Sequence, residues 1–517
     1  MKTTKYIYLF FIAILLSGGF IASCHDDSST LDINDIGTIE FETSGISELS
    51  VYQFEHLVVE PQININRISE SDLTYTWRIN LEPRDTTFVV IGTDKNLDYV
   101  AELRPNEANY YYTLTLTVSN RANGLEYMMA WETTVKNPLG EGLVVAETGN
   151  NTNTDLSIIM SPEVTEGYSG ENILRHVYSI NNGGALIPGL VKQMRFAIVY
   201  TVNSLFTITD NSLVKVETFD YSYAGMNDDL FYASKETYSP QSLGGVFQGG
   251  LYVGNHRLTS TNLGITQKFG LPFDFSFEVP DDVATNPFTG PDVHVVINFY
   301  DELLGGFVYL PAVSPFGDHN MHAYKPVSGA VFDPSSVPGK INLAAATNVE
   351  GDFLHLLQDK TSGEVGLYVL DKGGEDYPDI IAPAPKAYYN LSEAPEIENA
   401  TQFVFLNNQK VMFYATATKI YAVLYGTSTP TFEKRYTAPA GEEITSLQVY
   451  QQAGYPDNSA DDPYISTNNK QLVMSTYSTE GKVYLLPFKN LGAANIDTEN
   501  IKTFGGFGRI TAITPQK

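Results

Sequence analysis

Apolar and polar residues alternate with a period of two through much of the stretch from residue 37 to residue 137. Between Leu73 and Asn80 the odd positions are apolar and the even positions are polar, and Thr113–Val118 shows the same alternation. A period of two places successive side chains on opposite faces of a strand, so these segments are predicted to be half-buried β-strands. Several such strands in about a hundred residues predict a small β-sandwich over residues 37–137.

A different pattern begins after the turn-rich stretch Asn137–Gly142. Short apolar strands recur, each with a tyrosine between aliphatic or small residues, and successive tyrosines lie 52 to 63 residues apart by subtraction of their numbers. These tyrosines are Tyr200, Tyr252, Tyr309, Tyr368, Tyr421 and Tyr484. The spacing is close to one four-stranded propeller blade of ~40 to 50 residues with insertions.

The last three tyrosine strands each follow another apolar strand across a turn. These preceding strands are Phe353–Leu357, Phe403–Leu406 and Gln471–Ser475. Hairpins recurring at a regular spacing predict an all-β chain with a β-propeller over residues 138–517, of six to eight blades and preferably seven. Phe504–Ile513 is expected to pair with Leu143–Glu147 and close the ring. Several sandwich domains in tandem also fit evenly spaced short strands.

The N-terminus has the organisation of an export signal. Lys2 and Lys5 precede the apolar run Tyr6–Leu16, which is too short to span a bilayer, and small residues lead to Cys24, the single cysteine. This arrangement resembles the lipobox of bacterial lipoproteins, which implies removal of residues 1–23 and lipid attachment to Cys24. Residues 24–36 are polar and are predicted to form a flexible tether. A membrane anchor that is never removed is the alternative interpretation, as is an ordinary signal peptide with a stray cysteine.

The charge balance narrows the class of partner. The chain has 60 Asp and Glu against 31 Lys and Arg, a formal net charge of -29. Such an acidic surface repels phosphate backbones, so no nucleic-acid partner is expected. A single cysteine cannot form an internal disulfide, so an exported chain must be stable without covalent crosslinks.

Histidines and acidic loops are the candidates for metal sites in this sequence. Asp318, His319 and His322 lie within five positions of a loop and offer ligands of suitable type, but nothing in the sequence fixes their spacing. Solvated loop residues are therefore the preferred interpretation, and no metal or other cofactor is predicted. His294 and His355 alternate with apolar residues and are predicted to be strand histidines with satisfied hydrogen bonds.

No motif of a known catalytic class is present. The sequence has no Gly-x-Ser-x-Gly elbow and no His-Glu-x-x-His pair, so no catalytic residue is predicted. Four aromatic residues are candidates for contact with a sugar or peptide, because an apolar ring with a polar tip suits a wet binding site. They are Tyr221, Tyr223, Tyr388 and Tyr389. Consecutive strand residues point to opposite faces, so a place in the core is the competing interpretation.

Two segments of the predicted sandwich resemble the PKD-like (polycystic-kidney-disease-like) module. They are the TYTW segment Thr74–Trp77, with a buried-looking tryptophan, and the YTLTLTVSN segment Tyr112–Asn120. The Gly-Asp turn that often follows this tryptophan in the family is missing, so the resemblance implies the fold and no ligand residue.

The whole chain resembles PKD-like family lipoproteins of Gram-negative gut bacteria, which accompany Sus-like uptake systems with a TonB-dependent transporter. The resemblance implies a lipid-anchored protein of the outer membrane, exposed at the cell surface, that binds a glycan or peptide nutrient or another component of the uptake complex. Two alternatives stay open. One is a propeller hydrolase acting on glycans or peptides, and the other is a structural docking platform for outer-membrane partners.

Overall fold

The computed structural model describes residues 37–42, 48–106, 110–234, 237–247, 249–264, 266–287, 293–455 and 464–517. The predicted signal peptide, Cys24 and the predicted tether lie outside the described residues. The chain divides into two compact units, Met1–Lys136 and Asn137–Lys517. Within the described segments, no helix is long and apolar enough to cross a membrane.

The first unit is built from nine described strands around one core. They are β1 (Thr38–Phe41), β2 (Glu48–Tyr52), β3 (His56–Val59), β4 (Ile63–Asn66), β5 (Leu73–Asn80), β6 (Phe88–Gly92), β7 (Leu97–Val100), β8 (Tyr112–Asn120) and β9 (Glu126–Lys136), with a 3-10 turn at Glu70–Asp72. A five-stranded sheet has the order β2-β9-β8-β5-β6, and β1 pairs with β4 and β3 with β7. Only the β2 and β9 pair among these is parallel.

The apolar residues that alternate with polar ones along these strands fill the core of the first unit. Leu114, Leu116 and Val118 of β8 are fully buried, and Trp77 of β5 stacks on Trp131 of β9 with ring centroids 5.5 Å apart. Residues of the small sheets, such as Leu57, join the same cluster. The period-two prediction and the buried tryptophan are therefore confirmed, and the unit is an Ig/PKD-like β-sandwich.

The second unit contains, among its described residues, seven sheets of three or more strands, numbered in chain order as blades 1–7, and one two-stranded sheet. Blade 1 contains β10 (Gly142–Thr148), β11 (Asn153–Met160), β12 (Asn172–Leu174) and β13 (Ile187–Pro188), and blade 2 contains β14 (Gln193–Val199), β15 (Val202–Ile208), β16 (Leu213–Glu217) and β17 (Tyr223–Met226). Blade 3 contains β18 (Pro240–Val246), β19 (Gly249–Gly254) and β20 (Arg257–Ser260). Blade 4 contains β21 (Ala284–Thr285), β22 (Ile297–Asp301), β23 (Gly306–Leu310) and β24 (His322–Ala323).

Blades 5 to 7 follow the same plan of antiparallel neighbours. Blade 5 contains β25 (Lys340–Thr347), β26 (Phe353–Asp359), β27 (Val365–Leu370), β28 (Gly374–Asp376), β29 (Asp379–Ile381) and β30 (Pro385–Asn390). Blade 6 contains β31 (Gln402–Leu406), β32 (Val411–Ala415), β33 (Lys419–Leu424) and β34 (Thr431–Thr437). Blade 7 contains β35 (Glu443–Val449), β36 (Gln471–Tyr477), β37 (Gly481–Asn490), β38 (Asn495–Ile496) and β39 (Lys502–Phe507). In blade 5, β28 and β29 form an extra hairpin between β27 and β30.

Helices are short in the second unit. The described ones are α1 (Val177–Asn181) and α2 (Thr261–Gly264), with 3-10 turns at Asn227–Leu230 and Ile397–Asn399.

The last strand, β40 (Arg509–Gln516), closes the ring. It pairs antiparallel with β10, and Val145 lies opposite Ile513. Blade 1 is thus made from both ends of the unit. The predicted pairing with Leu143–Glu147 is confirmed for Ile510–Ile513, whereas Phe504–Phe507 belongs to β39 and pairs with β37 of blade 7. Because β40 covers the inner edge of β10, blade 1 is not left with the open strand edge that invites aggregation.

Hydrophobic clusters shared between neighbouring blades distinguish a propeller from tandem sandwiches. Blade 5 shares one cluster with blade 6 through Leu356 and Met412, and a second with blade 4 through Phe353 and Phe307. A sheet in a sandwich packs one face on a single partner, whereas each propeller blade packs both faces. The second unit is therefore a seven-bladed β-propeller, and the tandem-sandwich alternative is wrong.

The tyrosine repeat is real in four blades and accidental in two. Tyr309, Tyr368, Tyr421 and Tyr484 all lie on the third strand of their blade, whereas Tyr252 lies on the second strand of blade 3 and Tyr200 follows β14 in a turn. One predicted hairpin is also wrong. Phe403–Leu406 belongs to innermost strand β31 and pairs with β32, which separates it from the tyrosine strand β33.

Candidate ligand-binding channel

A polar channel runs through the ring and is walled by the innermost strand of every blade. Two adjoining cavities of about 380 Å³ and about 370 Å³ are lined by residues of β40, β14, β18, β21, β25, β31 and β35. They share several wall residues, among them Gln193, Arg195, Gly245 and Tyr455. Volumes of this size fall in the range of small-molecule sites, or of a short segment of a polymer.

Asp282 supplies the one carboxylate among the described residues that line these cavities. Its Oδ2 accepts a hydrogen bond of 2.9 Å from the backbone N–H of Ala345 in blade 5. Asp282 is exposed to the channel, and its carboxyl lies among the wall residues of the second cavity, which partly enclose it. This enclosure raises the pKa of Asp282 from its ordinary value of 3.8 to about 6, because the charged form loses hydration.

Arg195 places its guanidinium against Gly245 of blade 3. A Cβ built on Gly245 would come within 2.5 Å of the Arg195 Nη2 atom. Glycine weakens a strand interior, and it is often found where another group approaches the backbone closely. The missing side chain at Gly245 therefore makes room for a fixed positive charge in the channel wall.

Some polar side chains of the wall are engaged in holding blades together. The Gln193 amide donates to the carbonyl oxygen of Leu243 at 3.1 Å and accepts from the Leu243 N–H at 2.8 Å, which joins blade 2 to blade 3. The Asn407 amide donates to the Tyr455 hydroxyl at 3.4 Å, joining blade 6 to the segment after β35. These groups fix the channel's shape.

Other polar groups in the wall are left for a ligand. Gln402 of blade 6 and Gln448 of blade 7 line the first cavity, are half-buried, and make no side-chain hydrogen bond with any described residue. A Gln side chain offers two donors and one acceptor oxygen in a plane. Phe403, half-buried beside Gln402, adds an aromatic ring to the second cavity.

This arrangement suits non-covalent recognition of a polar ligand. Glycoside hydrolysis by paired carboxylates needs two acids about 5 to 9.5 Å apart. The described walls provide Asp282 alone, so the hydrolase alternative gains no support from them.

The aromatic residues singled out from the sequence do not meet at one place. Tyr221 is fully buried and its hydroxyl donates a hydrogen bond of 2.7 Å to Gln516, so its ring is a core element that a ligand cannot reach. Tyr223 and Tyr388 are 49% and 41% exposed, on the outermost strands of blades 2 and 5. Tyr389 is half-buried against Tyr425. None of the four lines either cavity.

The loop of Asp318, His319 and His322 contains one aspartate–histidine contact, and its three side chains do not converge on one point. His322 Nε2 lies 2.7 Å from Asp318 Oδ2, whereas His319 is exposed and its Nδ1 contacts the carbonyl oxygen of Gly317. Among the described residues, no group of three or more His, Cys, Asp or Glu side chains is placed to hold a metal ion.

His355 differs from its prediction as a satisfied histidine. It is fully buried on β26, 5.0 Å from the Phe307 ring, and neither ring nitrogen has a hydrogen-bond partner among the described residues. Burial lowers the pKa of His355 to about 3, because the protonated ring would be an unpaired buried charge. His294 lies 3.7 Å from the Glu375 carboxylate and is partly buried.

Sequence reasoning did not find the channel residues. Arg195, Gln402 and Gln448 lie on the innermost strands of three blades, and Asp282 precedes the innermost strand of a fourth, so their convergence follows from ring closure alone. One signal was present in the sequence. The pair Gly244–Gly245 interrupts an otherwise strand-like segment and marks close approach by another group.

Comparison with known proteins identifies the N-terminal part. A profile of the PKD-like family matches residues 24–188, about a third of the chain. The chain thus carries a PKD-like domain, and the predicted resemblance is confirmed for this part. The lipid anchor and the link to an uptake system stay predictions. None of the curated proteins compared with the chain matches it.

Three solved structures illustrate what the chain is similar to. Hydrazine synthase of Kuenenia stuttgartiensis is 9% identical with a TM-score of 0.34, covering 57% of this chain and 76% of its own. The Cps50 (Swd1) β-propeller domain of Myceliophteria thermophila is 10% identical with a TM-score of 0.28, covering 56% and 94%. PorZ, a surface component of the type-IX secretion system of Porphyromonas gingivalis, is 10% identical with a TM-score of 0.21, covering 88% and 64%. At such scores, the propeller assignment rests on the strand pairing described above.

Proposed function

We propose that this protein is a lipid-anchored accessory protein of the bacterial cell surface that captures a glycan or peptide nutrient in its propeller channel. It hands this ligand to a Sus-like outer-membrane uptake system with a TonB-dependent transporter. The PKD-like match fits a cell-surface accessory role. The observation that supports capture most directly is the channel itself, where Gln402 and Gln448 face a cavity of about 380 Å³.

Amide, hydroxyl and aromatic groups in the wall suit both ligand classes. Planar Gln and Arg side chains can bond neighbouring hydroxyls of a sugar or successive amides of a peptide, because each presents several donors in one plane. Phe403 offers a ring face to an apolar ligand face. Opposite charges at Arg195 and Asp282 favour a ligand with little net charge.

Capture needs no turnover in this proposal. A lipid at Cys24 confines the propeller to the membrane surface, which raises the local concentration of bound nutrient near a transporter without any new contact. Release must be fast enough for transfer, so moderate affinity is expected.

An array of glycans and peptides probed with the full-length protein in detergent tests the channel. We expect binding to one ligand class, and the double substitution Gln402→Leu with Gln448→Leu to weaken it by about tenfold or more, since two amide contacts are lost. Gln358→Leu is the matched control, because Gln358 is a half-buried glutamine on β26 that lines neither cavity. Equal binding by the double variant and the wild type would reject the channel as the site, and recovery of cleaved ligand would favour the hydrolase alternative.

The anchor is tested separately from the channel. Cys24→Ala is expected to abolish incorporation of a labelled fatty acid and to shift the protein from the membrane fraction to the soluble fraction. A Cys24→Ala protein that stays in the membrane fraction with its fatty acid label would show that the anchor lies elsewhere.

A further inference from the structure

Two neighbouring loops of the propeller project exposed aromatic side chains. Phe316, in the connection between β23 and β24 of blade 4, is 85% exposed, and Tyr377, at the tip of the β28 and β29 hairpin of blade 5, is 87% exposed. They are the two most exposed large apolar side chains of the described residues. Aromatic side chains are enriched at the interfaces of proteins with their partners.

Topology places both projections at the same end of the ring. Each connection joins the third strand of its blade to the fourth, and successive turns of an antiparallel sheet alternate between its two ends. A direct contact shows that the two blades meet here. Nδ1 of His294, which precedes β22 of blade 4, lies 3.7 Å from the Glu375 carboxylate in the hairpin of blade 5. Ile380 of the hairpin packs on the core shared by the two blades.

Internal bonds hold the Phe316 loop in place. The backbone N–H of Ala312 donates to the carbonyl oxygen of Asp318 at 2.9 Å, and the Asp318 carboxylate contacts His322 at 2.7 Å. The His322 ring in turn stacks on Tyr309, with centroids 5.2 Å apart. This is the role that the structure gives to Asp318 and His322, since an anchored loop can present Phe316 with little loss of entropy on binding.

Negative charge surrounds Tyr377. Glu375, Asp376 and Asp379 are all exposed on the same hairpin, with Tyr377 between them. We propose that Phe316, Tyr377 and these three acids form a docking surface, the Phe316–Tyr377 surface, for a lysine- or arginine-bearing apolar segment of a partner protein. Aromatic rings attract cations through their faces, and nearby carboxylates add charge complementarity.

The same charges disfavour other occupants. A second copy of the chain would bring identical acids together, and anionic lipid headgroups would face the same repulsion. The surface is distinct from the channel, because neither Phe316 nor Tyr377 lines the cavities. A test of partner binding at the Phe316–Tyr377 surface can therefore fail or succeed independently of a test of nutrient capture in the channel.

Fluorescence anisotropy with a labelled 12-residue peptide, three repeats of Lys-Leu-Lys-Gly, tests the proposal on the full-length protein. We expect saturable binding that Phe316→Ser with Tyr377→Ser weakens by about tenfold or more, as for paired interface aromatics. The triple substitution Glu375→Gln, Asp376→Asn and Asp379→Asn should weaken peptide binding similarly and reduce the dependence of that binding on salt. Array ligands of the channel should bind all these variants as they bind the wild type.

Leu303→Ser is the matched control, because Leu303 is 77% exposed in the turn at the opposite end of blade 4. The proposal is overturned if Leu303→Ser weakens peptide binding as much as the aromatic variant, or if a Glu-Leu-Glu-Gly peptide binds equally well. It is also overturned if the aromatic variant, still folded by circular dichroism, binds the cationic peptide normally. Loss of self-association or of phosphatidylglycerol vesicle binding in that variant, with peptide binding unchanged, would assign the surface to those occupants instead.

Discussion

The Tyr221 hydroxyl donates a hydrogen bond of 2.7 Å to Oε1 of Gln516, the second-last residue of the chain. The Gln516 amide nitrogen in turn donates to the carbonyl oxygens of Leu139 and Thr218, at 2.8 and 3.1 Å. Both side chains are almost fully buried. One glutamine at the end of β40 therefore joins the start of the propeller to blade 2.

Gln516→Leu is expected to destabilise the propeller by about 2 kcal/mol or more, because it leaves a buried hydroxyl and two carbonyl oxygens without partners. Tyr221→Phe removes one hydrogen bond but keeps the aromatic ring, so a loss of stability of about 1 kcal/mol is expected. Urea unfolding followed by far-UV circular dichroism measures both. Equal stability of Gln516→Leu and wild type would show that this network does not support ring closure.

Tryptophan fluorescence is expected to report on the first unit alone. Both tryptophans of the chain, Trp77 and Trp131, lie in the core of that unit and stack on each other. Leu116→Ala should lower the midpoint of the fluorescence transition, with a cost of about 2 to 5 kcal/mol for a fully buried leucine. Leu472→Ala, equally buried in blade 7, is the matched control and should leave that transition in place. A shift in both variants would mean that the two units unfold as one.

Sequence periodicity predicted the strands that are buried on one face and those that are buried on both faces. The period-two pattern of Leu73–Asn80 led to the sandwich. The apolar residues of Leu143–Glu147 and Phe504–Ile513 led to the closure of the ring, although only Ile510–Ile513 of the second segment pairs with the first. Hairpin spacing led to seven blades because the third strand of a blade is buried on both sides and reads as an apolar run.

Innermost strands were harder to recognise, because they pack on neighbours and also line a wet channel. The segment Pro240–Val246 mixes glycine, serine, glutamine and leucine, and its pattern has no single period. The convergence of Arg195, Asp282 and Gln448 on one channel depends on closing a ring of more than 300 residues, which local patterns do not encode. Tyrosine suits both core and surface, so Tyr221 and Tyr223 looked alike in the sequence and differ completely in exposure.

Acid sensitivity is expected from His355. Its pKa is lowered to about 3 in the folded protein, against 6.5 for an exposed histidine, so the unfolded chain binds the extra proton between these values. Stability from this group is therefore constant above pH 6.5 and falls as pH drops towards 3, by up to about 1.4 kcal/mol per pH unit. His355→Leu should flatten this decline and be neutral or stabilising at pH 7, because both ring nitrogens lack partners.

Urea unfolding at pH 7, 5.5 and 4.5 measures the His355 contribution. His319→Leu is the control, since His319 is exposed in a loop. An unchanged pH dependence in His355→Leu would show that this ring is hydrated or protonated in the folded protein.

Ligand binding in the channel is expected to change near pH 6. The raised pKa of Asp282 means that the folded protein holds a proton there up to about pH 6, so stability from this group falls as pH rises from 3.8 through 6. As pH rises through about 6, the carboxyl of the folded protein changes from a hydrogen-bond donor to an acceptor facing the ligand. Titration of an array ligand at pH 5 and pH 7.5 should give different affinities, and Asp282→Asn should remove the difference. Persistence of that difference in Asp282→Asn would place the titrating group elsewhere.

Hydroxyl-radical footprinting of the full-length protein with and without an array ligand tests capture in the channel most directly. Phe403 and Tyr455 line the cavities, so the account predicts that bound ligand protects both from oxidation while Tyr223 and Tyr388 react as before. Protection of Tyr223 or Tyr388, with Phe403 and Tyr455 unchanged, would contradict the channel as the binding site.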